Sequence, residues 1–509
     1  MIAMSEYSIP NLLSHLPASS DQVTIVNPAT GKKIYDLPQL SVGQVAKAVA
    51  DARLAQPSFA AMPVKKRSAA LFALHDLLLN NQDKLMDLLQ LETGKSRAHA
   101  FEEVAGSLGS TRYFAKIAPK VLKKQITNSG VPFVTRSYVT YSPVGVVGVI
   151  TPWNYPLALQ MLDVLPALAA GNTVVQKADN QTALVSLYAR KLAVEAGIPE
   201  SAWTIVVGDG PSVGNAITDS VDYVAFTGST KTGKIVAERA SKRLIGYSLE
   251  LGGKNPLIIL PGAKLGDAAE KVIAGAFGNS GQLCVSIERV YVPNNQKEAF
   301  EKELATRVNS LKIGKSDNFE MDMGTLTGIN QLKRVEDYVS DAVSKGAKVL
   351  AGAKALPELG PYFYAPTVMT NIKPEMRLAR EEVFGPFIAV VGYDTIDEAV
   401  ELANDTELGL NASVVGPVKL AEKVANRLMA GSVNINEGYR ASMASIDSPM
   451  GGMKQSGVGR RNGHYGLLRF TEARTVGIAT GLLNFPSRAK QYNKMAPLMN
   501  ALAKVMKKL

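Results

Sequence analysis

The chain has 509 residues, more than one hydrophobic core usually organises, and its 46% hydrophobic and 20% charged residues exclude a collagenous, disulfide-rich or disordered protein. Its one cysteine cannot form an internal disulfide, Met1 to Pro10 lacks a signal-peptide pattern and no apolar run reaches transmembrane length, so the expected location is cytoplasmic. The net charge of +11 does not mark a nucleic-acid binder: Arg488, Lys490, Lys494, Lys504, Lys507 and Lys508 supply six of those charges in one acid-free segment that starts at Leu483.

Short β-type segments from Val23 to Leu37 flank the turn Asn27 to Gly31 and predict a hairpin. Apolar residues at three- and four-residue spacing predict helices over Val42 to Ala55, Lys65 to Asn80, Gln82 to Glu92 and Ala98 to Leu122. Val131 to Ser142 alternates as one or two strands, and Gly145 to Ile150 is a fully apolar strand. Strands at Thr173 to Lys177, Trp203 to Val207, Tyr223 to Phe226 and Tyr247 to Leu251 then alternate with helices at Thr182 to Ala196, Ser212 to Thr218 and Lys231 to Ser241. That alternation is the pattern of a parallel, nucleotide-binding sheet. The turn Gly208 to Gly214 spaces its last glycine one residue wider than the dinucleotide fingerprint. A second turn, Phe226 to Thr230, opens a helix, so its amides and hydroxyls can face a pyrophosphate.

After Gly253 the alternation restarts with a strand at Leu257 to Leu260 and a helix at Leu265 to Phe277, and it runs to about Val433. The glycine-rich run Asp447 to Gly459 predicts a lid or interdomain crossing, and Arg469 to Ala479 an edge strand. In the tail, Met495, Leu498, Met499, Leu502, Val505, Met506 and Leu509 recur at helical spacing with lysines largely opposite. This is a basic amphipathic helix, to be docked on protein or laid weakly on an anionic membrane surface. The expected divisions are 1–130 with 143–252, rejoined by 434–468; 253–433; strands in 131–142 and 469–482; and the tail, 483–509.

His15, His75, His99 and His464 are scattered, so neither a metal site nor a cysteine–histidine dyad is expected. Cys284, between the flexible Gly278 to Gly281 and a β-rich run from Val285, is the nucleophile if it is not simply a small buried hydrophobe. Three further stretches, Thr151 to Pro156, Leu249 to Lys254 and Glu381 to Pro386, add an amide donor, a carboxylate and a cofactor grip.

At these stretches the sequence resembles the aldehyde dehydrogenase superfamily, from about Val23 to Ala479. Pro-Trp-Asn at 152 to 154, Phe-Thr-Gly-Ser at 226 to 229, Glu-Leu-Gly-Gly-Lys at 250 to 254, Gly-Gln-x-Cys at 281 to 284 and Glu-x-Phe-Gly-Pro at 382 to 386 occur in family order and spacing. The resemblance implies two Rossmann-type parallel-sheet domains, one binding NAD(P) and one carrying the cysteine, plus a small β oligomerisation flap. It also implies a homodimer or homotetramer. In the implied mechanism Cys284 attacks an aldehyde carbonyl, and the Asn154 side chain and the Cys284 backbone amide hold the oxyanion. Hydride leaves for the nicotinamide, and Glu250 activates the water that releases the acid.

For the cofactor, the family's positions fall on Lys177 and Asn180 at the adenosine ribose, Gly228 and Ser229 at the pyrophosphate, and Glu382 and Phe384 at the nicotinamide ribose. Ile150, Trp153, Asn154 and Leu251 line the slot. Asn180 stands where NAD-preferring relatives often carry Glu, which favours NADP; Asp179 beside it and the missing proline after Lys177 point toward NAD. In overall pattern the chain looks like the actinobacterial-type succinate-semialdehyde dehydrogenases, which makes succinate semialdehyde the expected substrate. Leu162 stands where better-known enzymes of that activity bind the carboxylate with arginine, and Ser286 replaces a second cysteine. With Tyr155 and Leu159 beside Leu162, an apolar aldehyde is the alternative; Arg289 or Arg440 would otherwise supply the cation. A non-enzymatic binding protein on the same scaffold is opposed by intact Cys284, Glu250 and Asn154.

Overall fold

Strands with no polar face belong inside a sheet covered on both sides. Val146–Ile150, Thr173–Lys177 and Tyr223–Thr227 are buried at every residue, and so are Asn255–Ile259, Ile287–Pro293 and Asn411–Val415. The computed structural model describes residues 8–130, 134–482 and 485–507. Met1 to Tyr7, the start of the strand expected from Val131, and Leu483, Lys508 and Leu509 of the tail lie outside them. The chain divides into two units, Met1–Val121 with Pro143–Thr471, and Leu122–Ser142 with Glu472–Leu509.

The first unit holds two large sheets. One runs in the order Gly457–Val458, Gly246–Glu250, Tyr223–Thr227, Val146–Ile150, Thr173–Lys177, Trp203–Val206, parallel except for its first member. Its earliest strand, Val146–Ile150, is central, and the chain winds first to one side and then to the other. The strand order therefore reverses there, and a crevice opens at the carboxyl ends of Val146–Ile150 and Tyr223–Thr227. The other sheet has the order Lys348–Ala351, Thr367–Thr370, Phe387–Tyr393, Ile287–Pro293, Asn255–Ile259, Asn411–Val415, Ser432–Ile435, parallel apart from the antiparallel first pair. A core of Leu257, Val272, Ile287, Val290, Phe300, Val368 and Ile388 packs one face of that sheet.

Local signals set most helix ends. Ser41 and Gln44 form a capping box for Val42–Ala61, and Gly94, at φ 73°, closes Gln82–Thr93. Pro156–Ala170 is a helix that periodicity does not predict: every residue except Ala158 is buried, so it has no polar face to reveal its period. The run Asp447 to Gly459, expected as a lid or crossing, contributes Gly457–Val458 to the edge of the first sheet, antiparallel to Gly246–Glu250.

In the second unit, Thr471–Ala479, Thr135–Pro143 and Gln125–Thr127 form a three-stranded sheet in that order. The strand Gln125–Thr127 lies beyond the expected 131–142 segment. The tail is helical over Ala489–Met506.

Candidate active site

Three chain segments deliver the central groups. Asn154 leaves the carboxyl end of Val146–Ile150 and is buried. Its Nδ2 donates to the Gln282 carbonyl at 3.0 Å, which leaves that nitrogen's second hydrogen for an incoming oxygen. Its own carbonyl accepts from Lys95 Nζ and from Asn279 Nδ2, each at 2.9 Å. Glu250 ends the strand Gly246–Glu250. Cys284 is half-buried in the loop before Ile287–Pro293.

The loop that presents Cys284 has an unusual backbone: Asn279 and Ser280 take left-handed φ values of 50° and 56° although both are fully buried. Gly281, at φ 71°, packs so closely on the Gly385 carbonyl that a Cβ there would collide with it. Asn255 Nδ2 donates to the Cys284 carbonyl at 2.8 Å and to the Ser286 carbonyl at 2.7 Å, fixing the thiol's backbone to the second sheet.

One cleft brings together Trp153, Asn154, Leu159, Gly228, Ser229, Glu250, Leu251, Cys284, Glu382 and Phe384. Burial pushes the Cys284 thiol up to about 12, with the nearby charges of Glu250 and Glu382 adding to the shift. Burial also raises Glu250 to about 7, against the pull of Arg461 and Arg469. Both Glu250 carboxylate oxygens are buried without a hydrogen-bond partner among the described residues. Glu382 is raised to about 8, by burial and then by Glu288, and accepts from the Gly253 amide at 2.8 Å. Gly252 lies so close that a Cβ would stand 2.5 Å from Glu382 Oε2.

Buried ion pairs hold this arrangement. Lys254 Nζ meets Glu288 at 2.5 Å, and the Glu288 carboxylate accepts from the amides of Val383 and Phe384 at 3.0 and 2.9 Å. Phe384 stands edge-on to Trp153 with ring centroids 5.7 Å apart. Arg334 donates to the Glu382 and Val383 carbonyls, and Gln331 to that of Phe384. Asp163 receives both Arg461 and Arg469, and Arg461 also donates to Thr227 Oγ1. Lys95 pairs with Glu103, which accepts from the amides of Leu157 and Ala158 at 2.8 and 3.2 Å and so caps Pro156–Ala170. Sequence reasoning missed Lys95, Glu103, Gln331, Arg334 and Arg461. Local pattern carries no sign of a partner that far along the chain.

Ser229 caps Thr230–Lys242, its Oγ accepting from the Thr232 amide, so that helix's N-terminal amides open on the cleft. Lys177 ends its strand, and burial lowers its pKa while Asp179 and Asp209 oppose the shift. Asn180 is engaged at both ends of its amide, donating to Gln39 Oε1 and accepting from the Gly208 amide, each at 3.0 Å. Lys177, Asn180 and the buried Ile150 stand apart from the residues that line the cleft.

Tyr155, Leu159 and Leu162 form an apolar cluster with Leu283, Val285, Leu410, Tyr439 and Met450, and Cys284 packs against it. Arg289 is not part of it. Its guanidinium donates to the carbonyls of Lys254, Leu402 and Ala403 and to the Tyr291 hydroxyl, in the core of the second sheet. The expectation that Arg289 supplies a substrate-binding cation is corrected: buried carbonyls occupy its donors. Among the described residues no group of three His, Cys, Asp or Glu could hold a metal ion.

Two covered parallel sheets meeting at a cleft that contains a thiol, an orphaned carboxylate and an amide donor define a dehydrogenase-type α/β enzyme. Residues 15–476 match the description "Aldehyde dehydrogenase family". A Mycobacterium tuberculosis protein named "Putative succinate-semialdehyde dehydrogenase [NADP(+)] 2" is 46% identical over 457 residues, which is 90% of this chain and 88% of that one. An NAD+ complex of aldehyde dehydrogenase from Bacillus cereus superposes with TM-score 0.86 at 35% identity, over 91% of this chain and 95% of that one. An Escherichia coli structure described as an NADP-dependent enzyme gives TM-score 0.86 at 32% identity, over 90% and 95%. The chain belongs to the aldehyde dehydrogenase family, and it is an aldehyde-oxidising enzyme.

Proposed function

We propose that this enzyme oxidises succinate semialdehyde to succinate with NADP. The observation that carries the chemistry is the convergence of Cys284, Asn154 and Glu250 on one cleft. Cys284 attacks as the thiolate, its proton passing to solvent, and Glu250, with both carboxylate oxygens buried without a partner among the described residues, is kept for the hydrolysis that follows. Once Sγ bonds to the carbonyl carbon, the oxygen gains negative charge and accepts from the free Asn154 Nδ2 hydrogen and the Cys284 amide. A bound nicotinamide supplies the acceptor for the hydrogen and electron pair that leave that carbon. The product is a thioester on Cys284. Glu250 then takes a proton from water, the hydroxyl adds to the thioester, and the acid departs as the thiol is restored.

The residues present fit the cofactor. Glu382 and Phe384 would hold its nicotinamide ribose, Trp153 and Leu251 would flank the slot, Ser229 and the helix amides behind it would take the pyrophosphate, and Lys177 would take the adenosine ribose. At position 252 any residue but glycine would put its Cβ onto the Glu382 carboxylate. NADP is supported by the mycobacterial relative's name and by the neutral Asn180 at the ribose end, with NAD as the alternative. Succinate semialdehyde is supported by the same name. The apolar wall of Leu159, Leu162 and Leu283 favours a second reading, an apolar aldehyde.

Both readings are separated by reduced-cofactor formation with succinate semialdehyde and octanal, each with NADP and NAD. Higher kcat/KM for succinate semialdehyde with NADP supports the proposal, and a preference for octanal replaces it with the second reading.

We read the three-stranded sheet as the surface that joins copies of the chain. Its outer strands are largely exposed, and an exposed edge strand is a template for pairing with another chain. The tail helix exposes Tyr492, Leu498, Met499 and Leu502 and carries no acid, which supports weak contact with an anionic membrane. No helix among the described residues is long and apolar enough to cross one. Deleting 483–509 abolishes flotation with anionic liposomes if this reading holds and leaves it unchanged if the tail docks on protein.

A further inference from the structure

With Arg289 committed to the core and Leu162 apolar, a carboxylate-bearing aldehyde needs its cation from elsewhere. Tyr439 belongs to the apolar cluster on which Cys284 packs. Its hydroxyl lies against the cysteine loop, 2.6 Å from where a Cβ on Gly278 would stand. The next residue, Arg440, has its guanidinium 5.5 Å from the Tyr439 ring. One of its nitrogens donates to Glu102 Oε1 at 2.8 Å, and the Tyr439 hydroxyl reaches Glu102 Oε2 at 3.5 Å.

One donor here is left over: Arg440 Nε is buried without a hydrogen-bond partner among the described residues, while the Tyr155 hydroxyl has only the Tyr439 hydroxyl beside it. Buried polar atoms are seldom left so, and three donors gathered beside the apolar cluster on which Cys284 packs suit an anion. Of the adjacent carboxylates, Glu103 is locked by Lys95 and the Leu157 and Ala158 amides, and Glu437, near Tyr439 and Arg440, accepts from the Gly438 amide at 2.9 Å. Glu102 is different: its side chain is 35% exposed, and among the described residues it is held by Arg440 and the Tyr439 hydroxyl, the groups that a ligand would use.

We propose that Arg440, with the Tyr155 and Tyr439 hydroxyls, forms a subsite for the carboxylate at the far end of the aldehyde, and that Glu102 fills it until substrate displaces it. The inference rests on the semialdehyde reading above. The substrate's apolar methylenes then lie along Leu159 and Leu162, and its carboxylate enters a Glu102-shaped place at the mouth.

The test compares kcat/KM for succinate semialdehyde and for butanal, its uncharged counterpart, in the wild type, Arg440→Met, Arg440→Lys and Glu102→Gln. Loss of one charge-assisted contact lowers the semialdehyde-to-butanal ratio by about 10- to 100-fold in Arg440→Met, mainly through KM. Arg440→Lys recovers part of it, and Glu102→Gln raises it. An unchanged ratio in Arg440→Met overturns the subsite while leaving the semialdehyde reading in place. Glutarate inhibition of butanal oxidation is the independent arm. Inhibition lost in Arg440→Met supports the subsite even if the wild type shows no preference for the semialdehyde, an outcome that would remove the substrate reading alone. Inhibition that persists in Arg440→Met overturns the subsite.

Discussion

Glu250 shows best why a residue's type does not disclose its working state. The sequence identifies a carboxylate in Glu-Leu-Gly-Gly-Lys; only the fold shows that both oxygens are buried without a partner and that burial lifts the group to about 7. Its folded pKa stands above its unfolded value, so the folded state keeps a proton that the unfolded chain has released. Stability therefore falls as pH rises from about 4.5 to about 7, and the deficit stays constant above that. Glu250→Gln should accordingly raise Tm at pH 8, by an amount equivalent to at most roughly 3 kcal/mol, with the gain fading toward pH 4.5. The base needs the ionised form, so acid release in the wild type should climb through about pH 7 and level off. That limb should be absent in Glu250→Gln. Differential scanning of both proteins across pH and a pH–rate profile of the steady state check the two statements.

At the scale of elements, what could be read in advance divides by physical cause. Helices with one polar face, such as Val64–Asn80, and strands such as Thr173–Lys177 declare themselves by period or by uniform apolarity. Pro156–Ala170 does not, because burial on all sides erases the period, and its cap is Glu103, which comes from another helix. The Lys95–Glu103 pair thus links three events: it caps that helix, holds the Asn154 carbonyl and leaves no charge unpaired. Lys95→Met strands Glu103 and should cost about 3–5 kcal/mol of stability, with a fall in kcat as Asn154 shifts. The cysteine loop is equally intolerant. Gly281→Ala meets both the Gly385 carbonyl and a left-handed φ, and should destroy activity, whereas Gly109→Ala, with open space in a helix, should be neutral or stabilising by up to about 1 kcal/mol. Thermal melts and turnover of the three variants decide this.

For the whole molecule, alternating strand and helix announced parallel sheets, and the order reversal at Val146–Ile150 explains why the crevice opens where the Pro-Trp-Asn and Phe-Thr-Gly-Ser turns emerge. The second sheet brings Cys284 and Glu382 on loops that precede Ile287–Pro293 and Phe387–Tyr393. The different surroundings of Arg289 and Arg440 were not legible, because the two are equivalent until the fold buries one among carbonyls and leaves the Nε of the other without a partner among the described residues. The proposed reaction passes through an acyl group on Cys284 that water, activated by Glu250, hydrolyses. The most direct test is rapid mixing of Glu250→Gln with succinate semialdehyde and NADP, followed by intact-mass and peptide analysis. A burst of reduced cofactor stoichiometric with enzyme, together with a succinyl increment on the peptide containing Cys284, is the expected result. No burst and no adduct, or full turnover by Cys284→Ser, would contradict it.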